Sequence, residues 1–211
     1  MLRLDMSPSS DPVIGVLALQ GDFAEHIGVL RELGARAIEV RLRGQLAEID
    51  ALIIPGGEST TITRLLDIYD LREPIRRLGQ DGLPIWGTCA GAILLAQRAT
   101  DLDRPNLALM DIDVRRNAFG RQLDSFEADL RIEGFGDTPF HCVFIRAPVI
   151  EAAGAGVDVL ARLDDGGIVA AREGHLLATV FHPELTGDTR FHELIVKLAS
   201  DRRRHHAAPS K

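Results

Sequence analysis

The chain has 211 residues, 45% of them hydrophobic and 26% charged, which fits a single soluble globular domain with a sizeable core. A formal net charge of −7 argues against a general phosphate-backbone binder, and two cysteines do not make a disulfide framework. The apolar runs are too short to span a bilayer and the N-terminus lacks a secretory h-region, so a cytoplasmic protein is expected.

Residues 1–12, rich in Ser, Pro and Asp, read as a disordered extension in which Met6 offers an alternative start. Val13 to Leu19 is an unbroken apolar run fit for a buried parallel strand. The polar turn Gln20-Gly21-Asp22 follows, with Asp22 placed to cap a helix whose Phe23, Ile27 and Leu30 share a face and whose stop is Gly34. Short strands are predicted at Ala37 to Val40 and at Ala51 to Ile54, the second ending in Pro55-Gly56-Gly57. Ser59, Thr60 or Thr61 can then cap a helix running through Leu65 and Leu66, and another helix spans Leu71 to Leu78. This alternation predicts a parallel sheet covered on both faces, a three-layer α/β architecture.

Leu83 to Ala99 reads as a buried strand, a tight turn carrying Cys89, and an apolar helix. Beyond it the pattern changes. Ser125 to Glu133 alternates apolar and polar residues, and further short strands are predicted at Val143 to Ile145, Val157 to Leu160, Ile168 to Ala171 and Leu176 to Phe181. Asp165-Gly166-Gly167 and Glu173-Gly174 are hairpin signals, so these strands should be antiparallel additions to the sheet. An amphipathic helix from Thr189 to Ala199 closes a domain at 13–200, and residues 201–211, with Arg202 to His206, read as a basic flexible tail.

Chemistry concentrates on three stretches. Cys89 stands between Gly87 and Gly91, the frame of a nucleophile elbow with sulfur in place of oxygen. A residue presented on so sharp a strand-to-helix turn needs small neighbours on both sides, and a helix starting at Ala90 would favour thiolate. Taken alone, this pattern leaves a nucleophile and a buried structural cysteine equally open. His182 and Glu184 lie in Phe181-His182-Pro183-Glu184, where Pro183 should keep the chain extended and both side chains on one side. Imidazole plus carboxylate supplies a base and its orienter, although a surface pair is the better reading of that motif by itself. His26, His141, His175 and His192 have no such partner in sequence and read as surface or satisfied histidines, with His175 the next candidate base. Ala90 and Gly57 are the candidate oxyanion donors, one following the nucleophile and the other in a glycine-rich loop after a strand.

PGGEST at 55–60, GTCAG at 87–91 and FHPE at 181–184, in this order, resemble the class I (triad) glutamine amidotransferases. LALQGDFAEH at 17–26, RRNAFGRQLDSFEADL at 115–130 and FIRAP at 144–148 are similar to the glutaminase subunits of pyridoxal 5′-phosphate synthases, over roughly residues 13–200. The resemblance implies a flavodoxin-like fold and a Cys89–His182–Glu184 triad that hydrolyses glutamine without a cofactor or metal. It also implies substrate contacts from Gly57, Glu58, Ser59, Arg116, Ile145 and Arg146. Ammonia would pass to a (β/α)8-barrel synthase subunit in a large ring-shaped hetero-complex, and the glutaminase would be poorly active alone. Other readings are a glutaminase of another amidotransferase, such as imidazole glycerol phosphate synthase, a stand-alone cysteine hydrolase, and a catalytically silent binding module.

Overall fold

The structure is a computed structural model that describes residues 11–100, 102, 104–116 and 125–207. Most of the expected N-terminal extension, the NAFGRQ stretch and the last four residues lie outside these.

The first half runs β1 (Val13–Leu17), α1 (Phe23–Glu32), β2 (Arg36–Val40), β3 (Ala51–Ile54), α2 (Ser59–Ile68), α3 (Arg72–Gln80), β4 (Ile85–Thr88) and α4 (Ala90–Leu95). Then come β5 (Ala96–Ala99), β6 (Met110–Arg115), β7 (Ser125–Leu130), β8 (Phe140–Ile145) and β9 (Val149–Ala153). The chain ends with β10 (Asp158–Arg162), β11 (Ile168–Glu173), β12 (Leu176–Thr179) and α5 (Arg190–Ala207).

The main sheet has the order β2-β1-β3-β4-β12-β11-β9-β6-β5, with β10 paired to β11. From β2 to β12 every pairing is parallel. β1, β3, β4 and β12 are buried along their whole length, which is why their sequences are apolar apart from the closing Thr88 and Thr179. β11 pairs antiparallel with β12 and β10, as the hairpin signals suggest, and β9 and β6 continue the sheet antiparallel. β7 and β8 instead form their own two-stranded ribbon, in which Phe126 and Phe144 stack at 4.4 Å between ring centroids.

Three expectations about elements need correction. The apolar helix expected to reach Ala99 stops at Leu95 and gives way to β5. Its last carbonyls are taken by a returning segment: Leu107 N–H donates to Leu94 O at 2.8 Å and Leu109 N–H to Leu95 O at 2.9 Å. Next-turn amides are thus replaced, and periodicity alone cannot separate such a run from a strand. Strands β6 and β9 were not anticipated, although β6 alternates buried and exposed positions. The last helix runs past Ala199 to Ala207, so residues 201–207 of the expected tail belong to it. Arg203 anchors that extension by donating to the Asp11 carbonyl at 2.8 Å and to the Asp50 carboxylate at 3.3 Å.

Candidate active site

The parallel strands deliver four chain segments to the same sheet edge, past their carboxyl ends. These are residues 18–22 after β1, 55–58 after β3, Cys89 after β4 and 180–184 after β12. Ligand sites of α/β sheets gather at this edge.

Cys89 has φ 46° and ψ −103°, a conformation that residues with a Cβ rarely adopt. Its N–H donates to Thr179 O at 2.8 Å, and its carbonyl accepts from Ala92 N–H at 3.1 Å, which holds the turn. The flanking glycines are required by space. A Cβ on Gly87 would lie 2.4 Å from the backbone of Gly91, and one on Gly91 would lie 2.0 Å from Ile54 O. The elbow inferred from G-x-C-x-G is therefore present, followed by a helix of six residues.

His182 follows β12, its N–H donating to Val143 O at 2.9 Å. Its Nδ1 donates to Glu184 Oε1 at 2.7 Å, and the same imidazole lines one cleft with Cys89. Burial disfavours the imidazolium, but the contacts with Cys89 and Glu184 outweigh it and raise His182 to about 10. Burial also raises Glu184, against the opposing pull of His182. The segment is not extended as Pro183 suggested. Pro183–Leu185 form a 3-10 turn with Pro183 first, where its missing N–H has no partner to lose. That turn folds Glu184 back beneath His182.

The loop after β3 is clamped from two sides. Asp22 N–H donates to Gly56 O at 3.2 Å, and Glu58 N–H donates to Gln20 Oε1 at 2.7 Å. A Cβ on Gly56 would lie 2.5 Å from His182 Cε1, and one on Gly57, at φ 151°, 2.5 Å from Gln20 Oε1. Helix α2 is capped by Glu58 rather than by Ser or Thr: its carboxylate accepts from Thr60 N–H at 3.0 Å and Thr61 N–H at 2.7 Å. Burial pushes Glu58 up, yet the hydrogen bonds of Thr60 and Thr61 outweigh it and bring it down to about 2. Ser59 is buried in the first turn of that helix. Asp22 stands at the α1 cap position without a side-chain capping bond. It turns to His182 instead, with Oδ2 3.4 Å from Nδ1, and its burial raises its carboxyl against the His182 charge.

A cleft of about 340 Å³ joins these groups. Every predicted site residue lines it except Glu184, which lies behind His182. Arg116 donates to Glu58 Oε1 at 3.3 Å across one wall; Ile145 and Arg146, the latter at φ 44°, form another. Gln20, Asp22, Ile93 and Pro148 also line the cleft and were not expected there. Gln20 and Asp22 had a signal, a polar turn directly after a buried strand.

The remaining cysteine and histidines separate cleanly. Cys142 is buried in β8, and burial, with Asp129 and Asp188, pushes its thiol up to about 12. His141 does have carboxylate partners, Asp129 at 2.8 Å and Glu127 at 3.2 Å, on the exposed ribbon. His175 bonds the Gly79 carbonyl at 2.7 Å and sits before β12, at the sheet edge opposite Cys89, so it is no substitute base. His26 and His192 are fully buried, with His26 Nε2 3.4 Å from Glu184 Oε2. No local pattern in the sequence points to that approach. Among the described residues, Asp22, His182 and Glu184 are the one group whose ligand atoms lie close enough to hold a metal, within 4.8 Å of one another. His182 Nδ1 and Glu184 Oε1 are already bonded to each other there.

A cysteine elbow with an adjoining imidazole and carboxylate, at the carboxyl edge of a mostly parallel sheet, is the architecture of the class I glutamine amidotransferases. A family model described as the SNO glutamine amidotransferase family matches residues 16–200, and the chain belongs to that family. Among curated relatives, "Pyridoxal 5'-phosphate synthase subunit PdxT" of Herpetosiphon aurantiacus is 59% identical over 188 residues, covering 88% of this chain and 99% of the relative. The subunit of the same name from Parafrankia sp. is 59% identical over 192 residues, covering 90% and 94%. A solved structure described as a glutamine amidotransferase superposes with a TM-score of 0.83 at 50% identity, covering 88% of this chain and 98% of its own. A putative GMP synthase subunit from Thermoplasma acidophilum shares the fold, with a TM-score of 0.69 at 18% identity over 94% and 98% of the two chains.

Proposed function

We propose that this chain is the glutaminase subunit of a pyridoxal 5′-phosphate synthase, with Cys89, His182 and Glu184 as its triad. The observation that carries the reading is His182, bonded to a buried carboxylate and lining one cleft with the elbow cysteine. His182, raised to about 10, already carries its proton near pH 7 and keeps it as the Cys89 sulfur attacks the glutamine carboxamide carbon, while Glu184 holds the imidazolium in register. The tetrahedral oxyanion is met by the backbone N–H groups of Ala90 and Gly57. His182 then gives its proton to the leaving nitrogen, ammonia departs, and water cleaves the thioester to give glutamate and free Cys89. Glu58, Ser59, Arg116, Ile145 and Arg146 bind the amino-acid end of the substrate, since they form the walls of the same cleft.

Ammonia is consumed by a (β/α)8-barrel synthase subunit in a ring-shaped hetero-complex, as the sequence resemblance implies; the relatives' description as a synthase subunit supports a partner. A cytoplasmic location fits two free cysteines, and among the described residues no helix is long and apolar enough to cross a membrane. Docking of the synthase turns the Gly57 N–H toward the substrate carbonyl, which releases the Gly56 carbonyl from Asp22 N–H; the reading is supported by two successive glycines, which have no side chain to oppose the turn. The test is glutamine hydrolysis by the full chain with and without its co-produced synthase subunit. Activation of up to about 10²- to 10³-fold is expected, the value of one oxyanion donor, with no activity in Cys89→Ala. Equal rates in both samples would refute the gating, and an active Cys89→Ala would refute the triad.

A further inference from the structure

Behind the carboxylate of Glu184 lies a second pair of imidazoles, both fully buried. His26 Nδ1 is 3.0 Å from His192 Nε2, and His26 Nε2 faces Glu184 Oε2 at 3.4 Å and Thr88 Oγ1 at 3.3 Å. Trp86 walls the pair in, edge-on to His26 at 5.4 Å and to His192 at 5.0 Å. Two buried atoms here have no hydrogen-bond partner, Glu184 Oε2 and His192 Nδ1.

These two orphans fix where the protons are. Burial lowers His192 to about 4 and, aided by His192 and His182, takes His26 well below its usual value, so both rings are neutral near pH 7. A neutral imidazole carries one N–H. An N–H on His192 Nδ1 would be a buried donor with no acceptor, costlier than a lone pair there. His192 is therefore protonated at Nε2 and donates to His26 Nδ1. That leaves the His26 proton on Nε2, aimed at Glu184 Oε2 and Thr88 Oγ1. The opposite tautomers would set a lone pair of His26 against a carboxylate oxygen and strand a donor on His192.

We propose that His26 is a positioning residue of the triad: its Nε2–H, within hydrogen-bond reach of Thr88 Oγ1 at 3.3 Å, also faces the outer oxygen of Glu184 at 3.4 Å, and His192 locks His26 in that tautomer. Glu184 is then bonded at Oε1 by His182 and faced at Oε2 by the positive end of the His26 N–H dipole, which disfavours rotation of the carboxylate out of line. The inference rests on the proposed triad and deepens it. The titratable groups around Glu184 are His182 and, beyond it, Cys89 from the elbow; Asp22 from the segment before α1; His26 from α1; and, beyond His26, His192 from α5.

Three measurements test it on the full chain, with its synthase subunit present for the kinetics. Nitrogen-15 histidine spectra of the unaltered protein should show Nε2–H tautomers for His26 and His192; an Nδ1–H tautomer at His26 overturns the proposal. His26→Leu should lower kcat by about tenfold to a hundredfold at nearly unchanged KM, the range for losing a hydrogen bond to a charged group. Without that donor Glu184 protonates more readily, so the acid limb of kcat/KM should move to higher pH. His26→Gln, which returns an N–H at the same reach, should restore most of the rate and the wild-type limb. Equal losses in both variants, with only a lower melting temperature and an unmoved limb, would make His26 merely structural and overturn the proposal. So would a His26→Leu protein with wild-type kcat and profile while Cys89→Ala is dead, which spares the triad. An active Cys89→Ala would instead take down the triad and this inference together.

Discussion

Replacing Gly91 with Ala probes the elbow without altering any reacting group. The added methyl would lie 2.0 Å from Ile54 O and 2.9 Å from Ile54 C, both backbone atoms of a fully buried strand. Favourable carbon contacts begin near about 3.5 Å, so α4 and β3 must separate by more than roughly 1 Å. Overpacking of a core typically costs about 1–3 kcal/mol, and a rigid backbone neighbour puts this site at the top of that range. For a protein of this size about 3 kcal/mol corresponds to a melting temperature lower by roughly 6–12 °C. Activity should fall further than stability, because Ile54 leads into the Gly56–Gly57 loop and Cys89 is two residues away; displacements near 1 Å can cost about 10²-fold. Gly28→Ala is the matched control. It sits inside α1 with nothing within 4 Å of the added methyl. Ala is better in a helix interior by roughly 1 kcal/mol, so this variant should melt about 2–4 °C higher with unchanged turnover. Thermal melts and glutamine hydrolysis on both variants decide the matter. A Gly91→Ala protein that melts at or above wild type with full activity would refute the steric account of the elbow.

A glutamine analogue carrying an electrophile should label Cys89 and spare Cys142, whose thiol is buried and held up at about 12; peptide mapping that finds Cys142 alone would reverse the assignment. His182→Asn should cost most of the turnover and Glu184→Gln less, since triad roles are unequal; near-normal kcat in His182→Asn would refute the base. Acid should weaken the fold through His192, which is lowered to about 4 when folded and returns to 6.5 on unfolding. The unfolded chain then binds the extra proton, so that stability is present above about pH 6.5 and is lost as pH falls toward 4, up to about 3 kcal/mol. Urea titrations at the two ends of that window should show the loss in wild type and a flatter response in His192→Phe; identical slopes would count against it.

The parallel half was legible because its burial is two-sided. An apolar run such as Ala51 to Ile54 has no other economical place, and its bounds were read without error. Errors fell where a long-range partner, absent from any local window, decided the structure. Leu94 and Leu95 end their helix because Leu107 and Leu109 return to take their carbonyls. Arg202 to His205 look like a solvated tail until Asp11 and Asp50 are placed beside Arg203. Pro183 reads as a helix breaker in sequence, but at the first position of a short turn it breaks nothing.

The same division runs through the site. Cys89, Gly57 and His182 were legible because each has a local reason for its residue type: a strained turn, a close approach, a base directly after a strand. His26 had none. It lies 158 residues before Glu184 and 166 before His192, on a helix face that reads as ordinary, and only the packing of α1 and α5 against the segment after β12 makes it a neighbour of the triad. Its complete burial from water is also what makes its single proton informative. In water either tautomer would be satisfied; inside this core one arrangement leaves a lone pair unused and the other leaves a donor stranded against nothing. The burial that hides the pair from a sequence reading is therefore what gives it a definite direction toward Glu184.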